Sequence, residues 1–129
     1  MIVDTSAIVA LWLREPGWDI IRQKLADAPD IRMSAATSVE LYAVLDSRTN
    51  PENQRRLDTL LEVLGVVIEP FDREQATVAR AAYRDFGKGS GHPAHLNMGD
   101  CFSYALASVR HQPLLFVGDD FGQTDLVAA

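Results

Sequence analysis

The chain alternates between two hydrophobic periods. Short apolar runs mark strands: Met1-Ile-Val3 closed by Asp4, Ile31-Arg-Met33, Val66-Val-Ile68 between Gly65 and Pro70, and Leu114-Leu-Phe-Val117 after Pro113. Between them the apolar residues recur at helical spacing. Thr5-Ser6 offers N-cap chemistry for a helix carrying Ile8, Val9, Leu11 and Trp12, broken by Pro16-Gly17. Trp18 to Ala28 reads as a second helix with Ile20, Ile21 and Leu25 on one face. Thr37 to Ser47 carries Leu41, Tyr42 and Leu45 and stops at Asn50-Pro51. The helix that opens at Pro51 carries Leu57, Leu60, Leu61 and Leu64 and ends at Gly65. Arg73 to Phe86 is an Ala-rich helix, Gly87 to Gly91 a flexible loop, and Asp100 to Arg110 a last helix entered through Asn97-Met-Gly99.

Strands alternating with helices predict βαβ units and a mainly parallel sheet covered on both faces. Such sheets hold their ligands outside the carboxyl ends of the strands. Asp4 closes the first strand and Asp119-Asp120 follow the last, so both fall at that edge. An acid that closes a buried strand is costly unless it is paired or holds a metal. It can also cap the helix that starts at Thr5. Glu40 is ambiguous, because Thr37-x-x-Glu40 matches a capping box and the residues alone favour that reading. Asp100 in a first helical turn is favoured by the helix dipole. Asp119, Asp120 and Asp125 can serve as turn residues. If three or four of these carboxylates converge, they need a hard cation such as Mg²⁺ or Mn²⁺.

Composition narrows the choice. With 129 residues, 47% hydrophobic and 23% charged, residues 1–129 are expected to form one globular domain. The net charge of -6 speaks against a nucleic-acid binder unless the acids are loaded with cations. Beyond Lys88 the only basic Lys or Arg is Arg110, against Asp100, Asp119, Asp120 and Asp125. The lone Cys101 excludes an intramolecular disulfide and a cysteine-based zinc cluster. The opening residues carry neither the basic stretch nor the apolar length of a signal peptide, so none is expected, and no apolar run comes near the roughly 20 residues of a membrane span. A soluble, cytoplasmic protein with no membrane association is expected.

Other candidates carry less. His92-x-x-His95 lies in a Gly- and Pro-rich loop with no third soft ligand, and His111 ends a helix. Gly87-Lys-Gly-Ser-Gly91 lacks the order of a phosphate-cradling loop. Arg80, Arg84 and Lys88 recur at helical spacing, either as a solvated face or as a guide for a phosphate-bearing ligand beside an acidic cleft.

Four segments, in order along nearly the whole chain, resemble the PIN-domain family. Met1-Ile-Val-Asp-Thr-Ser-Ala7 resembles its opening, and Ser38-Val-Glu40 its second acidic motif. Leu96-Asn-Met-Gly-Asp-Cys-Phe-Ser-Tyr-Ala-Leu-Ala107 resembles the third motif of VapC toxins. Pro113-Leu-Leu-Phe-Val-Gly-Asp-Asp-Phe121 with Thr124-Asp125 resembles the closing segment. The resemblance implies a three-layer α/β/α sandwich and a Mg²⁺-dependent endoribonuclease, with Mn²⁺ able to substitute. It implies Asp4, Glu40, Asp100 and Asp120 as metal-holding and catalytic residues, reversing the reading of Glu40 from the residues alone. In VapC-like chains the position before the last acid varies more than the acid, which selects Asp120 over Asp119 and sets Phe121 beneath it. Val117-Gly118 departs from the hydroxyl residue that many PIN domains carry there. The implied partners are an RNA substrate, a VapB-type antitoxin that blocks the site, a second copy in a homodimer, and DNA reached only through the antitoxin. Surface for the dimer is expected from the Trp12, Trp18 or Leu57–Leu64 helices.

Two other functions compete. An aspartyl-nucleophile phosphatase of the haloacid-dehalogenase type fits Asp4-Thr5, but position 6 is Ser rather than a second Asp. Such enzymes, like receiver modules, also use a late lysine, and none follows Lys88. A PIN-like module that only binds a partner has no need for so many carboxylates at strand ends.

Overall fold

A computed structural model of the protein describes residues 1–46 and 50–129. Strands β1 (Ile2–Val3), β2 (Ile31–Ser34), β3 (Val66–Glu69) and β4 (Leu114–Leu115) pair in the order β3-β2-β1-β4, and every pairing is parallel. Parallel neighbours cannot be joined by a tight hairpin, so each connection needs a long crossover. Each is built from two helices: α1 (Thr5–Leu13) with α2 (Trp18–Asp27), α3 (Ala35–Asp46) with α4 (Pro51–Val63), and α5 (Arg73–Phe86) with α6 (Met98–Arg110).

The strand period of two divides the core between the faces of the sheet. Val3, Met33 and Leu115 pack with Ile8 of α1, Ile21 and Leu25 of α2, Leu41 of α3 and Leu57 of α4. Ile2 and Leu114 pack on the other side with Ala79 and Ala82 of α5 and with Ala105 and Leu106 of α6. Each fully buried Leu or Ile contributes about 1.5–3 kcal/mol. The result is the expected three-layer α/β/α arrangement. Among the described residues no helix is long and apolar enough to cross a membrane.

Strand order fixes where a ligand can sit. From β1 the chain steps outward to β2 and β3, then returns to the opposite side of β1 as β4. The direction therefore switches between β1 and β4, and the crevice at a switch point is where open α/β sheets bind ligands. Asp4 is the residue that leaves β1 into that crevice.

Several local expectations are corrected. The cap of α1 is Asp4, the alternative role read for it, whose side chain accepts from the Ser6 N–H; Thr5 and Ser6, expected to supply the cap, are already helical. Ile20 is 59% exposed, so only Ile21 and Leu25 face the core from α2. α3 starts two residues before Thr37, with Ser34 Oγ accepting from the Ala36 N–H at 3.2 Å. Thr37 is thus inside the helix and the capping box with Glu40 does not form; Ser47, the expected end, lies outside the described residues. α4 ends at Val63, two residues before Gly65. α6 likewise starts at Met98 rather than Asp100, because Asn97 supplies the cap. β4 spans two residues instead of Leu114–Val117, since β1 offers only two partners.

Candidate active site

Two buried acids close strands of this sheet, and their surroundings differ. Glu69, at the end of β3, is held by Arg110 and Arg32, which keep its carboxyl below the ordinary range. It is a structural ion cluster, and sequence reading passed over it. Asp4, 3% exposed, has no cation: none of the salt bridges among the described residues involves it. Its carboxylate is held by neutral donors instead. Oδ2 accepts from the Ser6 N–H at 2.9 Å and the Ser6 hydroxyl at 2.6 Å, and Oδ1 accepts from the Ser103 hydroxyl at 2.6 Å. The Val117 N–H donates to Ser6 Oγ at 3.0 Å, which ties the end of β1 to the segment after β4.

Asp100 occupies the third position of α6 and forms a capping box with Asn97. Its Oδ2 accepts from the Asn97 N–H at 2.8 Å, and its own N–H donates to Asn97 Oδ1 at 2.9 Å. The bond from the Asn97 N–H favours the charged form. Burial wins nonetheless, and repulsion from Asp4, Asp120 and Glu40 adds to it, so the carboxyl is pushed up to about 6. Asp4, Glu40 and Asp120 thus each bear on Asp100, although the four come from the end of β1, α3, α6 and the segment after β4. Asp120 is among the charges that bear most on Asp100. Phe121 is buried at 3% exposure and packs against Phe116 with ring centroids 5.1 Å apart.

Glu40 reaches the same place through a missing side chain. A Cβ on Gly99 would lie 1.6 Å from Glu40 Oε2, so the Glu40 carboxylate fills the space that any other residue at 99 would take. The glycine lets α3 bring its acid against the first turn of α6, one residue from Asp100. As the side chains stand, no three acidic, His or Cys groups among the described residues are gathered tightly enough to hold an ion. The donor set itself is all oxygen, anionic and partly desolvated, and among the described residues it takes part in no salt bridge, which suits a hard divalent ion.

The remaining candidates lie elsewhere. Asp125 accepts from the Tyr104 hydroxyl at 2.6 Å and lines a cavity of about 440 Å³ with Ala107, His111 and Gln112, at the far end of α6. His92 Nδ1 accepts from the Ala94 N–H and its ring meets Phe86 edge-on. Burial pushes the Cys101 thiol up to about 12, so it is no nucleophile at neutral pH. Arg80, Arg84 and Lys88 are exposed, with Arg84 paired to Asp85. Sequence reading passed over Ser103, and it took Thr37 only for a helix cap, although the two hydroxyls lie 3.1 Å apart beside Asp4. The available signal was a polar residue one turn after Asp100 and another one turn before Glu40, each on an otherwise buried helix face.

The chain belongs to the PIN-domain family, whose model matches residues 1–126. Within that family its relatives are VapC ribonucleases. It is 53% identical over 126 residues to Ribonuclease VapC42 of Mycobacterium tuberculosis (strain ATCC 25618 / H37Rv), covering 98% of this chain and 96% of that one. Among solved structures, its fold is similar to VapC20 of Mycobacterium tuberculosis, described as a sarcin–ricin loop cleaving toxin, with a TM-score of 0.79, 17% identity and coverage of 99% and 97%. It is also similar to a chain of a toxin–antitoxin complex from Klebsiella pneumoniae, with a TM-score of 0.74, 18% identity and coverage of 99% and 95%.

Proposed function

We propose that residues 1–129 act as one PIN domain, a Mg²⁺-dependent endoribonuclease toxin silenced by a VapB-type antitoxin. The observation that carries this reading is the environment of Asp100. Asp4, Glu40 and Asp120, from three other parts of the chain, all bear on its carboxyl, and among the described residues no salt bridge involves any of the four. Asp4, Glu40, Asp100 and Asp120 are the residues that would hold the ion, and Mn²⁺ would substitute for Mg²⁺. When bound, the ion would activate water and stabilise the charge that develops on a phosphodiester.

The chain's own groups prepare that chemistry. Ser6 and Ser103 fix the Asp4 carboxylate by three hydrogen bonds, so it needs little reorganisation. Asn97 holds Asp100 at the helix N-terminus. Gly99 admits Glu40. The net charge of -6 conflicts less with RNA once the acids hold a cation, because the ion offers a phosphate a local positive charge. An antitoxin suited to this site would offer Arg or Lys to the carboxylates, by bidentate bonds where the geometry allows. DNA would be reached through the antitoxin, and exposed Ile20 and Val63 are available to a homodimer.

Cleavage of a labelled RNA in Mg²⁺ or Mn²⁺, with and without chelator, tests the reading, and acyl-phosphate trapping runs beside it. Cleavage that stops in chelator and in Asp4→Asn supports it. An acid-stable substrate-derived phosphoryl adduct on Asp4, or full cleavage in chelator, would overturn it.

A further inference from the structure

Three buried polar groups link the helices that carry the acids. Thr37 and Ser103 are both fully buried and Asp4 is nearly so. Thr37 Oγ1 and Ser103 Oγ lie 3.1 Å apart, and Ser103 Oγ donates to Asp4 Oδ1 at 2.6 Å. Ser103 has one proton and spends it on the carboxylate, so the 3.1 Å bond is donated by Thr37. The chain of donors therefore runs one way, from Thr37 on α3 through Ser103 on α6 to Asp4 at the end of β1. Its first two members sit one helical turn from an acid of the site: Thr37 from Glu40, and Ser103 from Asp100.

Counting lone pairs gives this direction a consequence. Asp4 Oδ2 accepts two hydrogen bonds, both from Ser6, and has no lone pair left. Among the described residues Oδ1 accepts one, from Ser103, and keeps one lone pair free. The oxygen that Ser103 holds is the oxygen that remains available.

We propose that Thr37 and Ser103 are positioning residues of the site, a buried hydroxyl chain that fixes Asp4 Oδ1 as the oxygen offered to the divalent ion. The proposal rests on the metal-dependent reading above. It explains why two full-buried hydroxyls occupy helix positions where an apolar side chain would pack at no hydrogen-bonding cost. Partners that orient a metal ligand commonly set affinity by about 10- to 100-fold.

Isothermal titration with Mn²⁺, paired with melting curves in chelator, tests it on the full chain. Ser103→Ala is expected to weaken Mn²⁺ binding about tenfold or more. Thr37→Val, which keeps the shape and loses the hydroxyl, is expected to weaken it severalfold, and Thr37→Ser, which keeps the hydroxyl, to restore it. Wild-type affinity in a folded Ser103→Ala and in Thr37→Val overturns the proposal and leaves the metal-dependent function standing. Equal losses in Thr37→Val and Thr37→Ser also overturn it, by showing that packing is what matters. Should Ser103→Ala not fold, the two Thr37 variants decide alone. A wild-type chain that takes up no Mn²⁺ removes the functional reading and this proposal together.

Discussion

Replacing Asp100 by Asn should stabilise the metal-free protein while abolishing its activity. The Asp100 carboxyl is raised from an ordinary value of 3.8 to about 6 by burial and by Asp4, Asp120 and Glu40. Taken at face value, that difference costs the fold about 3 kcal/mol at neutral pH. Partial exposure screens the repulsion, and loss of a favourable charge from the first turn of α6 offsets some of the gain. The expected net gain is about 1–2 kcal/mol, or a rise in Tm of about 4–8 °C. Asn retains an oxygen to accept from the Asn97 N–H, so the helix cap survives. The sign follows from the direction of the shift. A folded-state value above the unfolded one means that ionisation destabilises, so the cost is full above about pH 6, falls to roughly half by pH 5 and disappears below the ordinary value. Melting of wild type and Asp100→Asn in chelator at pH 7.5 and pH 5 checks this. Equal or lower Tm for the variant at pH 7.5, or a gain that does not shrink at pH 5, would refute the reasoning.

Further outcomes follow from the same geometry. Asp120→Asn should weaken Mn²⁺ binding about tenfold or more, whereas Asp119→Asn should change it little, by isothermal titration; the reverse order would show the closing motif to be misread by one residue. Gly99→Ala should lower cleavage strongly, because the new methyl displaces Glu40; a cleavage rate at the wild-type level would show that the Glu40 carboxylate is not needed where it stands. Glu69→Gln should lower Tm by breaking the cluster with Arg32 and Arg110 but leave Mn²⁺ affinity unchanged, which separates the structural acid from the others. Co-expression with a VapB-type antitoxin should yield a complex without ribonuclease activity, and an active complex would contradict the blocking role.

The layers of the fold were legible because their periods are clean. Val66-Val-Ile68 between Gly65 and Pro70 is β3 almost to the residue, and Arg73–Phe86 is α5 without change. Ends depended on capping that the pattern does not display. Asn97 and Ser34 start α6 and α3 earlier than the apolar residues suggest, and Thr37 lost its apparent capping role for that reason. Among the acids, strand ends pointed to Asp4, but Glu40 and Asp100 read from the residues alone as helix-cap chemistry, and for Asp100 that reading is also true. Family resemblance singled them out. Their proximity depends on Gly99 and on the strand switch between β1 and β4, and both are properties of the folded chain. Glu69 shows the converse: a strand-end acid by position, but neutralised by Arg32 from the neighbouring strand and Arg110 from the last turn of α6, partners far away in sequence.

The central claim is that four carboxylates act together through a divalent ion on RNA. Its most direct test is the initial rate of cleavage of a 5′-labelled RNA by the chelator-stripped chain as Mg²⁺ is added back, for wild type and Asp4→Asn in parallel. The account predicts no cleavage without the ion, a saturable rise with it in the wild type, and none in Asp4→Asn at any concentration. A wild-type rate independent of Mg²⁺, or an Asp4→Asn curve that overlays it, would contradict the account.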